Sequence, residues 1–137
     1  MTVTIDHLTP VEKTLLITLT GRALDARTKR PLLGNRLAAK AFDRLGPGAD
    51  IVKLPDSNRL ALAVRSKMLN RLVAGFIAAH PNAVVVELGC GLETRMHRIA
   101  PPATVDWYDN VIALRGQLVP ELDRTHHVAA SLTNQAG

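Results

Sequence analysis

The 137-residue sequence contains a single cysteine and few aromatic residues, and both shortages restrict what the chain can be. One thiol cannot form an internal disulfide bond, which excludes a disulfide-stabilised scaffold and fits a reducing compartment. Because aromatic residues make up 3% of the chain, the core must be built from leucine, valine, alanine and isoleucine. The hydrophobic content of 47% excludes intrinsic disorder and is sufficient for one packed domain.

The chain also lacks the segments that would direct it to a membrane or a secretory pathway. No apolar run approaches the roughly 20 residues needed to span a bilayer, and the N-terminus has no basic region followed by an apolar core. We therefore predict a cytoplasmic protein with no membrane partner. The formal charge of +5 is typical of some nucleic-acid-binding proteins, but the dense basic group at residues 27–30 has no interleaved aromatic residues. This favours solvated helix faces and no nucleic-acid partner.

The most informative stretch is AVVVELGCGLETR, residues 83–95. Its three consecutive valines suit a strand that is covered on both faces in a parallel sheet. Glu87 lies near the end of this strand, and Gly89 and Gly91 follow it, so that the backbone can turn sharply and approach a ligand. The first N–H groups of the next helix offer hydrogen-bond donors. This order of elements is typical of a nucleotide-type cofactor site.

Two interpretations of this turn compete. A dinucleotide fold has a third glycine, and Thr94 occupies the position where that glycine would fall. Nicotinamide binding is therefore disfavoured. A Gly-x-Gly pair also occurs in ordinary turns, so the surrounding residues are needed to distinguish a cofactor site from such a turn.

Those residues resemble one family. VVVELGCGLETRMHRI, then VDWY from Val105 and VIALRGQLVPE, are similar to the S-adenosyl-L-methionine-dependent O-methyltransferases of the leucine carboxyl and polyketide methyltransferase family. That family carries an LGxGLDTR-like turn, a WY-plus-acid second strand and a VIxLR helix. The segment TLLITLTGRALDAR extends the resemblance over nearly the whole chain. It implies S-adenosyl-L-methionine as cofactor and a small-molecule hydroxyl or carboxylate as methyl acceptor.

The resemblance implies that five residues bind the cofactor. Arg65 matches an arginine that pairs with the methionine carboxylate, a role that suits its guanidinium fork, although a solvated arginine remains the alternative. Glu87, Gly89 and Gly91 belong to the turn that passes under the methionine portion. Asp109 stands about 20 residues after the glycines, where an acid holds ribose hydroxyls in related folds.

The sequence departs from the family after the second strand. WYDN runs directly into VIALR, so the family's usual ribose acid is absent and Asp109 aligns with the acid before it. Near the end, SLTNQAG offers Asn134 in place of an acid. No residue can be assigned as a catalytic base. His126 and His127 point to opposite faces of a strand, which argues against a metal site.

The fold class predicted is α/β: the first half, about three strands, of a doubly wound Rossmann-like class I methyltransferase sheet. A helical N-terminal region, residues 1–82, precedes a partial cofactor-binding core, residues 83–137. Helices are predicted at 10–26, 35–45, 56–80, 93–99 and 111–119, and strands from 83, at 104–109 and at 127–132. The third helix carries an apolar stripe wide enough to dock against a sheet, formed by Leu60, Val64, Met68, Leu72 and Phe76 and flanked by Leu69, Val73 and Ile77.

We expect a truncated family member, whether a domain fragment, a degraded gene product or a shortened gene model, with weak or no activity by itself. In a doubly wound sheet the next strand would pair beside residues 84–88. Without it, this strand is an edge with open hydrogen-bonding groups. The alternative function is a non-catalytic remnant that acts through self-association or partner pairing, with a homo-oligomer or aggregation at the open edge.

Overall fold

The computed structural model describes residues 2–46, 52–99, 104–109 and 111–131, and within 104–109 it describes the side chains of Val105 and Asp106. The chain forms two compact units, one ending at Arg71 and the other beginning at Leu72. The elements in order are a one-turn helix Glu12–Thr14, α1 (Leu15–Ala26), α2 (Arg36–Arg44), α3 (Asp56–Ala79), β1 (Val84–Leu88), α4 (Arg95–Ile99), β2 (Thr104–Asp109), α5 (Ile112–Leu118) and β3 (Thr125–Ala129). The unit boundary falls inside α3, whereas the division at residue 82 stays a prediction.

The first unit begins with a capping box. The Thr9 N–H donates to Oε2 of Glu12 at 2.8 Å, and the Glu12 N–H donates to Oγ1 of Thr9 at 3.2 Å. These reciprocal bonds satisfy two donors at the point where the chain enters the one-turn helix and α1. Helix α1 then buries Leu16, Leu19 and Ala23. The helix predicted from residue 10 thus begins two residues later, as the one-turn helix at Glu12.

A buried carboxylate organises the connection between α1 and α2. Asp25 is 1% exposed and accepts hydrogen bonds from the N–H groups of Leu32 at 3.0 Å, Leu33 at 2.9 Å and Gly34 at 3.0 Å. Gly34 has a φ of +67°, which glycine adopts without strain. Asn35 follows and caps α2 with its side chain. The loop is thus held by charge-assisted hydrogen bonds to a single side chain.

The second unit contains a parallel sheet with strand order β1-β2-β3. Its register aligns Val86 with Asp106 and Asp106 with His126. The predicted α/β class and parallel sheet are confirmed, and β1 lies at the edge of the sheet in the part of the chain described. Strand β3 begins at Thr125, two residues before the predicted start, and ends at Ala129.

Helices cover one face of this sheet. Val85 of β1 and Val105 of β2, which are register partners, belong to an apolar core beneath it. The other members of this core are Ile77, Cys90, Met96, Val73, Ile99, Ile112 and Leu122. Residues from α3, α4 and α5 therefore pack on the same side of the strands. The core is built from aliphatic side chains, as the aromatic shortage predicted.

The prediction that the apolar stripe on α3 docks against a sheet is confirmed for one flank and wrong for the centre. Val73 and Ile77 on the flank pack with Val85 and Val105 of the strands. Each of the five central members, Leu60, Val64, Met68, Leu72 and Phe76, is at least 41% exposed. Besides Ile77, helix α3 buries Ala63 and Ser66. No helix within the described ranges is long and apolar enough to cross a membrane.

Candidate functional site

At the carboxyl end of β1 the chain turns through two glycines in the left-handed region. Gly89 has a φ of +60° and Gly91 a φ of +47°. A Cβ atom added at Gly89 would meet no other atom within 4 Å, so the space beside this part of the turn is open. Cys90, between the glycines, is buried and packs into the core. The turn therefore presents backbone on its open side.

An ion-pair network connects the end of β1 to the residues after the turn. Oε1 of Glu87 accepts a hydrogen bond from Nη1 of Arg95 at 2.5 Å, and Nη2 of Arg95 lies 3.6 Å from Oε2 of Glu93. Nη2 of Arg98 lies 3.2 Å from Oε1 of Glu93 and its Nη1 donates to Oγ1 of Thr94 at 2.8 Å. The four charged side chains are at most 18% exposed. Pairs shielded in this way are costly to break.

Two backbone donors shortly after the turn are already bonded within the protein. The Glu93 N–H donates to the Cys90 carbonyl at 2.9 Å, and the Thr94 N–H donates to Oε1 of Glu93 at 2.8 Å. Helix α4 has five residues. The N–H group of Thr94 is therefore occupied by Glu93, and the expectation that N–H groups at the helix start serve a ligand stays a prediction. The backbone at Gly89 faces free space.

Arg115 of α5 holds the turn from the buried side. Its side chain is 1% exposed, and Nη1 donates to the carbonyl of Gly91 at 3.1 Å and to the carbonyl of Glu93 at 2.6 Å. One guanidinium group thereby fixes the path of the chain after the second glycine. Sequence reasoning missed this role. The available signal was an arginine within the apolar segment VIALR.

The structure places Asp109 at the end of β2. Its Cα is the register partner of Ala129, while its side chain lies outside the described residues. Leu88 pairs with Tyr108, so Gly89 and Asp109 each follow this last paired rung of β1 and β2. The backbones of Gly89 and Asp109 therefore both lie at the carboxyl end of the sheet. Asn134 falls outside the described residues.

Arg65, the fifth predicted cofactor ligand, belongs to the first unit. It lies on α3 with an exposed side chain. It lines a cavity of about 290 Å³ together with Ile17, Leu54, Asn58, Ala61 and Leu62. Glu87, Gly89, Gly91 and Asp109 all belong to the second unit. The cofactor contact predicted for Arg65 stays a prediction.

His97, which lies on α4, should make the stability of the protein depend on pH. Its Nε2–H donates to the Pro120 carbonyl at 2.6 Å, and burial lowers its pKa, with the nearby Arg115 and Arg98 acting in the same direction. Between the lowered pKa and the ordinary value of about 6.5, the unfolded chain binds more protons than the folded chain. Stability should therefore fall as the pH is lowered through this range.

We expect His97→Gln to flatten this pH dependence. The measurement is the urea midpoint of unfolding between about pH 7 and pH 5, compared with the wild type. At pH 8 both chains have a neutral side chain at this position, so the difference there isolates the packing effect of the substitution. Equal slopes for variant and wild type would show that His97 does not contribute.

Comparisons with known proteins agree with the family resemblance. The chain is 38% identical over 133 residues to a tetracenomycin polyketide synthesis O-methyltransferase of Streptomyces glaucescens, covering 94% of this chain and 49% of that protein. It is 30% identical over 127 residues to an S-adenosyl-L-methionine-dependent methyltransferase of Gibberella zeae, covering 83% of this chain and 43% of that protein. No family model and no solved structure matches the chain. The chain thus spans about half the length of the curated relatives it matches.

Proposed function

We propose that this chain, a homologue of polyketide O-methyltransferase-like proteins, supplies the cofactor-binding part of an S-adenosyl-L-methionine-dependent O-methyltransferase. The observation that carries the proposal is the turn from Gly89 to Gly91 at the carboxyl end of β1. In open α/β sheets, ligands bind outside the carboxyl ends of parallel strands. The names of the two relatives supply the cofactor and the reaction class.

The turn fits this cofactor because its open side carries no side chain at Gly89. Backbone at this position would pass under the methionine portion, and the pairing of Glu87 with Arg95 would hold the strand end in place. Asp109, the last residue of β2, would bind ribose hydroxyls, and Arg65 would pair with the methionine carboxylate. When bound, the cofactor supplies an electrophilic methyl group on a sulfonium centre.

The acceptor would be a small-molecule hydroxyl or carboxylate. Transfer to a carboxylate needs no strong base. The protein would therefore act mainly by holding the methyl donor and the acceptor in line, and this orientation would supply much of the rate acceleration. The chain matches about half of each relative, and we therefore propose weak or no activity for it alone. The single cysteine supports the further proposal of a cytoplasmic location.

Calorimetric titration with S-adenosylhomocysteine tests the proposed cofactor site. Saturable binding is expected for the wild type, and Gly89→Arg should weaken it by at least ~30-fold, about 2 kcal/mol, because the side chain would fill the open side of the turn. Gly34→Arg is the matched control, because Gly34 also has a positive φ, +67°, and lies in the first unit. A Cβ atom there meets Cγ of Pro31 at 3.9 Å, an ordinary contact distance.

Three results would contradict the assignment. A folded wild-type chain that binds no S-adenosylhomocysteine would mean that these residues do not form a cofactor site by themselves. Displacement of the ligand by NAD at similar concentration would favour the dinucleotide interpretation instead. Loss of binding in both glycine variants would mean that the effect is not local to the turn.

A further inference from the structure

Helix α4 carries a histidine whose two ring nitrogens have different surroundings. Nε2 of His97 lies 2.6 Å from the carbonyl oxygen of Pro120, and because a carbonyl oxygen only accepts, Nε2 carries the ring proton. This hydrogen bond ties α4 to the segment that follows α5. Nδ1 is buried and, among the residues that the structure describes, it has no hydrogen-bond partner. The site therefore suits a neutral ring.

Positive groups on three elements lie close to this ring. Arg98 on α4, Arg115 on α5 and His127 on β3 are near enough for their charges to act on His97. A proton on Nδ1 would place a further positive charge beside them. It would also leave a buried N–H donor without an acceptor, which costs free energy. Protonation of His97 is therefore incompatible with the site as it is built.

The two arginines beside this ring are also the ones that hold the glycine turn. Nη1 of Arg115 donates to the carbonyls of Gly91 and Glu93. Arg98 donates to Oγ1 of Thr94 and pairs with the carboxylate of Glu93. A positive charge on the imidazole would repel both guanidinium groups in the positions where they support the turn. The charge state of one histidine is thereby coupled to the geometry of residues 91–94.

His127 adds a second titratable group next to Arg115. Burial lowers the pKa of His127 and the charge of Arg115 acts in the same direction, whereas Glu121 opposes them. Burial lowers the pKa of His97 as well. In the folded chain both rings are therefore largely neutral at pH 7, and both take up protons more readily once the region opens to solvent.

We propose that His97 and His127 form an acid-sensitive switch on the glycine turn. Uptake of a proton from solvent by Nδ1 of His97 forces the ring out of its site and breaks the hydrogen bond to Pro120. Helix α4 then separates from the segment after α5, and the turn at Gly89 and Gly91 loses its support. Opening is favoured as the pH falls below about 6.5, where an exposed histidine becomes protonated. Only the effect of this opening on cofactor binding rests on the proposed function.

Amide hydrogen exchange of the full 137-residue chain, without cofactor, tests the switch. Protection factors are compared at pH 7.5 and pH 5.5 for the N–H groups of Glu93 and His97, which donate to the carbonyls of Cys90 and Thr94. We expect them to fall by about 10-fold for each histidine that stays neutral in the folded chain, and so by up to about 100-fold. The amides of α1, in the first unit, are the internal reference and should change little.

Three variants assign the effect to the two histidines. His97→Gln keeps an amide that can donate to the Pro120 carbonyl but takes up no proton, so the loss of protection in acid should shrink to about 10-fold. Combining it with His127→Gln should remove the pH dependence of the turn. His126→Gln is the matched control, because this neighbour on β3 has a side chain that is 68% exposed. It should behave as the wild type.

Equal protection of the turn at both pH values in the wild type would overturn the proposal, and so would an unchanged pH dependence in the double variant. If the variants do not fold, the NMR signal of the His97 Cε1–H in the wild type replaces them. A titration midpoint below 6.5 that coincides with the loss of protection supports the switch, and a midpoint at or above 6.5 contradicts it. A chain that opens in acid but binds no S-adenosylhomocysteine refutes the proposed function alone. Equal affinity for S-adenosylhomocysteine at pH 7.5 and pH 5.5 refutes the switch as a regulator of binding.

Discussion

Replacing Asp25 with asparagine is expected to lower the free energy of unfolding by roughly 2–4 kcal/mol. The carboxylate is 1% exposed, and its two oxygens accept from three backbone N–H groups in residues 32–34. An asparagine keeps one oxygen and turns an NH₂ group towards donors that then have no acceptor. The loop that leads into α2 should lose its anchor.

Asp43→Asn is the matched control for this change. Asp43 lies on α2, its side chain is 66% exposed, and it pairs with Arg27 on the surface. Exposed pairs contribute about 0–1 kcal/mol, so this variant should unfold near the wild-type urea concentration. Similar losses in both variants would mean that the three backbone hydrogen bonds do not anchor the loop.

Arg115→Met is expected to destabilise the second unit by roughly 3 kcal/mol and to disturb the glycine turn. Methionine retains much of the apolar stem of the arginine. It cannot donate to the carbonyls of Gly91 and Glu93, which Nη1 of Arg115 binds at 3.1 and 2.6 Å. The loss should be seen in urea unfolding and in faster amide exchange of residues 89–94.

Two further variants separate the hydrogen bonds from the charge. Arg115→Lys keeps the charge but presents one ammonium in place of a fork, so its stability should fall between those of wild type and methionine variant. Arg71→Met, at an exposed position of α3, should change the unfolding free energy by less than about 0.5 kcal/mol. If Arg115→Met is as stable as Arg71→Met, the guanidinium does not support the turn.

Much of the local structure was predictable because it depends on near neighbours. The box formed by Thr9 and Glu12 needs two residues three positions apart. Strand β2 was predicted at its observed limits, Thr104–Asp109, from an apolar-polar alternation. The turn at Gly89 and Gly91 was predicted because glycines after a valine run favour positive φ. The cofactor roles assigned to the turn residues and to Arg65 stay predictions.

The features that could not be predicted from the sequence involve residues whose partners are distant in the chain, or whose burial depends on elements that pack against them only in the folded protein. Arg115 lies 24 residues from the Gly91 carbonyl that it binds. Asp25 resembles any acid near a helix end until the following loop folds over its carboxylate. The central residues of the α3 stripe have the spacing of a buried face, yet they are exposed while Val73 and Ile77 on its flank are packed, because periodicity identifies an apolar side without showing what covers it.

The sequence by itself determined the order of helix, strand and glycine turn, since each follows from the conformational preferences of a few adjacent residues. It also determined the family resemblance, which rests on the same turn and the segments around it. The tertiary structure alone decided which charges are buried, which carbonyls Arg115 holds and which groups surround His97. Burial depends on elements that meet only when the chain folds, and no local pattern of residues specifies that meeting.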